Sequence, residues 1–245
     1  MLATEKFNLS PSLLESNNKT ERGYIILLST QLLTIVYTIV VFQIILRSTS
    51  AIVSIGYTFG FAIVGMAYTW FTYSMIRHFS QSKVVIWTTF VIFLISFWTG
   101  LIISNPLDPM DMESPVYKIL GFVNQAGSLI AFTIIMVFMV RDIFTGQHTI
   151  VYRLWSAACI YFNIGFIFSF IYGLVNLLGT NELDMSIKPN FIGYMHCVNY
   201  SYYTLSTLDT PYVNAGGLFR GIGVLQSLFA NLYIVLMVGR LLSKE

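Results

Sequence analysis

Charge is what this chain has least of. Only 10% of its 245 residues are Asp, Glu, Lys or Arg, against about a quarter in an ordinary soluble domain. With 56% hydrophobic residues and a mean hydropathy of +0.73, a water-soluble domain is excluded and an integral membrane protein is indicated. The formal charge of +2, with no basic tract, argues against nucleic acid as a partner. Cysteine is scarce as well. Cys159 and Cys197 both lie in apolar segments, which reads as two reduced core residues rather than a disulfide. The first 22 residues mix charges, and the apolar run after them is too long for the core of a signal peptide. His78, His148 and His196 are scattered, none with a metal-ligand partner at helical spacing. Neither a G-x-S-x-G motif nor a phosphate-binding glycine loop is present. An enzyme is not expected, nor a cofactor or a bound metal.

What is present is a series of apolar runs. Five are long enough to cross a hydrocarbon core of about 30 Å: 23–46, 51–76, 84–104, 117–140 and 149–178. A sixth covers 217–242. The expected fold class is therefore an all-α membrane protein with six transmembrane helices. Three regions follow: a cytoplasmic N-terminal tail over 1–22, a four-helix peripheral bundle over 23–140 and a third region over 141–245. Loop charge supplies sidedness. Lys6, Lys19 and Arg22, then Arg77 and Lys83, then Arg141 and Arg153, then Arg240 and Lys244 fall at alternate ends of the runs. Asp108, Asp111 and Glu113 against Lys118, and later Glu182 and Asp184 against Lys188, occupy the other ends. Both termini are expected in the cytoplasm. A voltage sensor needs several arginines within one span. The fourth run, Phe122 to Val140, has none.

Between the fifth and sixth runs lies a stretch too short to span. Aromatic, apolar residues Phe191 to Tyr203 lead into a hydroxyl-rich turn, Thr204-Leu205-Ser206-Thr207-Leu208-Asp209-Thr210-Pro211-Tyr212. Such a stretch survives at membrane depth only if it is buried in protein or lines a wet cavity. It reads as a re-entrant pore helix and loop between helices 5 and 6.

Tyr202-Tyr203-Thr204-Leu205-Ser206-Thr207-Leu208 resembles the approach to the filter in tetrameric pore-loop cation channels of the potassium-channel-like branch. Leu225-Gln226-Ser227-Leu228-Phe229-Ala230-Asn231-Leu232-Tyr233 and Val238-Gly239-Arg240-Leu241 resemble their inner helix. The likeness covers about 40 residues and implies a homotetramer in the lipid bilayer passing cations. In it 149–178 is the outer helix, 190–212 the pore helix and filter, and 217–242 the inner helix. The filter would be Thr207, Leu208, Asp209, Thr210 and Pro211, preceded on the pore helix by Tyr203, Thr204 and Ser206. Potassium channels continue with a glycine-containing filter whose carbonyls replace the ion's hydration shell. Here the glycines are missing, and Pro211 fixes one torsion and restricts Thr210. The order Thr207 to Pro211 is closer to the filter of cyclic-nucleotide-gated channels, short by one residue. Non-selective or weakly selective monovalent conduction is expected.

Asp209, the only acid of the loop, would form a ring of four carboxylates, or else cap its own turn. Thr204, Ser206 and Thr207 would offer oxygens to an ion, or else satisfy backbone groups at the helix end. Gln226, Ser227 and Asn231 are polar groups in an apolar helix, suited to lining a pore or to interhelical hydrogen bonds. By resemblance, Gln226 occupies the place of a glutamate that braces the filter from behind. The alternative expectation, favoured by the missing glycines, is a non-conducting accessory or assembly subunit with a degenerate loop.

Overall fold

The computed structural model describes residues 11–41, 51–79, 82–103, 114–145, 149–178, 191–208, 212 and 215–242. Every regular element among the described residues is helical. Helix α1 is Pro11–Val36 and continues through a π-helical turn, Tyr37–Val41. It is followed by α2 (Ala51–Phe79), α3 (Lys83–Ile103), α4 (Pro115–Thr145), α5 (Ile150–Leu177), α6 (Phe191–Leu205) and α7 (Gly217–Leu242). Five stretches of the described helices are long and apolar enough to cross a bilayer: Arg22–Val40, Lys83–Ile103, Pro115–Phe144, Ile150–Leu177 and Gly217–Gly239. The chain is thus all-helical and compatible with a multi-pass membrane protein. The second apolar run forms α2, a helix of 29 residues.

Two boundaries depart from the sequence expectation. Helix α1 begins at Pro11, twelve residues before the apolar run, so this part of the expected tail is helical. Proline at the first helical position presets φ and gives up an N–H that has no helical partner there. Helix α4 runs on to Thr145, which brings Arg141 and Asp142 onto the helix.

Close approaches fix how the helices run. Gly60 of α2 sits against the Tyr37 ring of α1, and Gly65 of α2 faces Phe97 of α3. Ser96 and Gly100 of α3 oppose Gly127 and Asn124 of α4, and Gly121 and Gly173 pair α4 with Leu177 and Gln125 across the α4–α5 contact. Successive helices from α1 to α5 are therefore antiparallel. Arg22, Arg77, Lys83, Arg141 and Arg153 consequently share one end of the bundle. There the Tyr24 and Tyr152 hydroxyls both donate to Asp142 Oδ2, joining α1, α4 and α5.

Helix α5 is the centre. It buries Tyr152, Ser156, Ile160, Asn163, Phe166, Ser169, Phe170 and Tyr172 among its neighbours. Helix α1 is stitched to it by Gln31 Nε2, which donates to Cys159 O at 3.3 Å, and by Cys159 Sγ to Tyr24 O at 3.5 Å. Both cysteines are free and buried, as expected. On α1, Thr30, Thr34 and Thr38 hydrogen-bond the carbonyls four residues earlier at 2.7–2.8 Å. Such back-bonding satisfies a hydroxyl in an apolar setting and loosens the helical ladder. The helix departs from α geometry at Tyr37.

Candidate functional site

Helix α6 has 15 residues, a length of about 22 Å, too short to cross a hydrocarbon core. It runs antiparallel to α5. Near its start Tyr194 stacks on Phe170 with centroids 5.7 Å apart. Further along, the Tyr202 hydroxyl donates to Phe162 O at 2.9 Å. At its end the Tyr161 hydroxyl donates to Leu205 O at 2.8 Å. Tyr161 is close to the midpoint of α5, so α6 travels alongside the second half of α5 and stops halfway. Its last carbonyls carry the partial negative charge of a helix C-terminus.

Gly165 makes this approach possible. A Cβ there would lie 2.6 Å from the Tyr202 ring, and the Gly165 carbonyl accepts from Ser201 Oγ at 2.7 Å. Behind α6, Gln226 of α7 is fully buried. Its Nε2 donates to both Ser201 O and Ser201 Oγ at 2.9 Å, and its Oε1 accepts from the Tyr172 hydroxyl at 3.0 Å. One amide therefore ties α5, α6 and α7 together where none of the three could reach water. The aromatic rings of Tyr172, Tyr200 and Phe219 pack around this tie at 4.9–5.5 Å.

The helix ends in a double hydrogen-bonded turn. Thr207 N donates to Thr204 O at 3.3 Å and Leu208 N to Tyr203 O at 3.2 Å, the Schellman pattern, with the intervening residue left-handed. That residue is Thr207, at φ +56°, the only non-glycine residue with positive φ among the described residues. A β-branched side chain is strained there, and glycine would be the ordinary choice. Thr204 Oγ1 donates to Tyr200 O at 2.9 Å and Ser206 Oγ to Tyr203 O at 3.1 Å, so these two hydroxyls serve the helix end. Thr207 and Leu208 are exposed, and Tyr203 is half-buried. Asp209, Thr210 and Pro211 lie outside the described residues.

After them the chain is fixed again at Tyr212. Its hydroxyl is 2.7 Å from His196 Nδ1, and its ring meets those of His196 and Tyr200, each with centroids 5.7 Å apart. His196 is thus a half-buried, hydrogen-bonded residue of α6. Tyr212 therefore stands level with the first half of α6, well away from Leu205.

Helix α7 presents two faces. Phe219, Gly223, Gln226, Ala230 and Met237 are buried against α5 and α6, while Val224, Leu228, Asn231 and Val235 are exposed on the other side. Ser227 is half-buried between the two faces. The structure thus separates the three inner-helix candidates: Gln226 braces α6 from behind, and Asn231 points outward from the single chain. Sequence reasoning missed Tyr172, Ser201, Gly165 and Tyr161, which hold α6 in place. Hydroxyls in otherwise apolar runs were the available signal. Among the described residues no three His, Cys, Asp or Glu side chains gather as a metal-binding group. No protein-family model, no characterised protein and no solved structure matches this chain.

Proposed function

We propose that this chain is one subunit of a homotetrameric cation channel in which α5, α6 and α7 form the pore domain. Six helices cross the membrane, α1 to α5 and α7. Helix α6 and the turn after it re-enter between α5 and α7, and Thr207 to Pro211 are the filter. The observation that carries this reading is the course of α6. It enters alongside α5, ends at half depth against Tyr161, and the chain is back beside His196 by Tyr212. A helix that stops in mid-membrane leaves carbonyls that must be covered or must face a wet cavity, and their dipole favours cations.

Asn231 supports the tetramer. It is exposed on a face otherwise made of Val224, Leu228 and Val235. A side-chain amide in lipid would be left without hydrogen-bond partners, whereas a pore or a neighbouring copy supplies them. The basic bundle end is cytoplasmic by the charge rule, which puts the entrance to the filter on the outer side. Conduction is passive, weakly selective among monovalent cations, and has no arginine voltage sensor. Four Asp209 carboxylates ring the path.

Cation flux into liposomes carrying the purified chain tests this. Asp209→Asn is expected to lower the flux several-fold with the tetramer intact. Equal flux in the two proteins would remove Asp209 from the path. A folded tetramer that conducts nothing would favour the accessory-subunit alternative, for which the strained, glycine-free turn at Thr207 speaks.

A further inference from the structure

The hairpin of α2 and α3 carries a second feature, unconnected to the pore. The two helices pack through Gly65 and Phe97 and through Tyr73 and Phe90, whose rings are 4.7 Å apart. Trp70 joins Tyr73 at 6.2 Å and Trp87 joins Phe90 at 6.0 Å. The result is one aromatic row, Trp70–Tyr73–Phe90–Trp87, across both helices. Its two ends remain open, with Trp70 64% and Trp87 59% exposed. Arg77, seven residues after Trp70, shares its face of α2, and Lys83, four residues before Trp87, shares its face of α3. Both cations are exposed and lie at the basic end of the bundle. The indoles sit about 6–10 Å deeper along the helices. That vertical order, cations above and indoles below, matches headgroup phosphate above the glycerol and upper acyl region.

We propose that this patch binds an anionic phospholipid of the leaflet at the basic end. Arg77 and Lys83 hold the headgroup phosphate, and the aromatic row supports the glycerol and upper acyl chains. Charge complementarity decides the occupant. At that end of the described helices Lys19, Arg22, Arg77, Lys83, Arg141, Arg153 and Arg240 outnumber Glu15, Glu21 and Asp142, and Asp142 is taken up by the Tyr24 and Tyr152 hydroxyls between α1, α4 and α5. Arginine's planar fork suits a phosphate. The far end of α3 offers a contrast within the same helix: Trp98 is 61% exposed beside Phe97, with no basic residue on α3 near it.

The test uses the full chain in phosphatidylcholine vesicles containing a minor share of phosphatidylglycerol. Tryptophan emission is quenched by bromine placed on the acyl chains of one lipid or the other. At equal mole fraction, brominated phosphatidylglycerol is expected to quench in excess. The excess corresponds to a local enrichment of roughly fivefold per basic residue. It should vanish in R77Q/K83Q, survive in the charge-keeping R77K/K83R, and vanish in W70F/W87F, which keeps Trp98. Equal quenching by both lipids would overturn the proposal, as would an excess that survives R77Q/K83Q. Weak quenching of Trp70 and Trp87 by both lipids would mean that protein covers the patch, and would overturn it too.

Discussion

Gln226 is a single amide with three hydrogen bonds to two helices, and it shows what one polar residue does in an apolar core. Interhelical hydrogen bonds in membranes average about 0.6 kcal/mol. Gln226→Leu removes three at once and takes the acceptor from the buried Tyr172 hydroxyl, so a loss of about 1–2 kcal/mol is expected in reversible unfolding. An unchanged midpoint would show that water replaces the amide. Thr207 carries the opposite sign. Thr207→Gly should stabilise by about 1 kcal/mol, the cost of a left-handed L-residue, while flux falls, since strain kept at a site is kept for its function; a destabilised variant would contradict this. At this scale the sequence was legible in part. A glutamine inside an uncharged helix stands out, but its partners lie 25 and 54 positions away and follow only from tertiary packing. The positive φ of Thr207 was hidden because a β-branched residue does not suggest it.

Among the elements, the junction of α5 and α6 is the tightest. The Tyr202 hydroxyl is anchored to Phe162 O, so its ring cannot swing away from a methyl placed on Gly165. Gly165→Ala should therefore cost about 1–3 kcal/mol and displace α6. At Gly239 nothing lies within 4 Å of an added Cβ, so Gly239→Ala should be neutral or gain up to about 1 kcal/mol. Comparing the two unfolding midpoints separates close packing from helix propensity. Helix α7 matched its expected bounds, 217–242, because an uncharged run flanked by glycine and arginine leaves little choice. Helix α5 came within a residue at each end for a similar reason. The start of α1 at Pro11 was legible only as a short interfacial helix around Pro11 to Glu15, not as the beginning of the long helix. Polar residues 11–22 carry no hydrophobic period, and what extends the helix is the proline start together with cooperative growth from the apolar run.

For the molecule as a whole, the proposed tetramer would give the exposed face of α7 and the half-depth stop of α6 their neighbours. Four copies around one axis would bring their Asn231 faces together and set four α6 ends around one path. The charge pattern and apolar runs made the helices and their alternation legible. Assembly was not, because a lipid-facing and a subunit-facing surface are equally apolar. The most direct measurement is single-channel recording from the purified chain in a planar bilayer, with potassium on one side, sodium on the other, and Asp209→Asn in parallel. Discrete currents reversing near zero potential, and reduced by the substitution, are the predicted result. Silence from a well-folded protein that stays monomeric in mild detergent would contradict it.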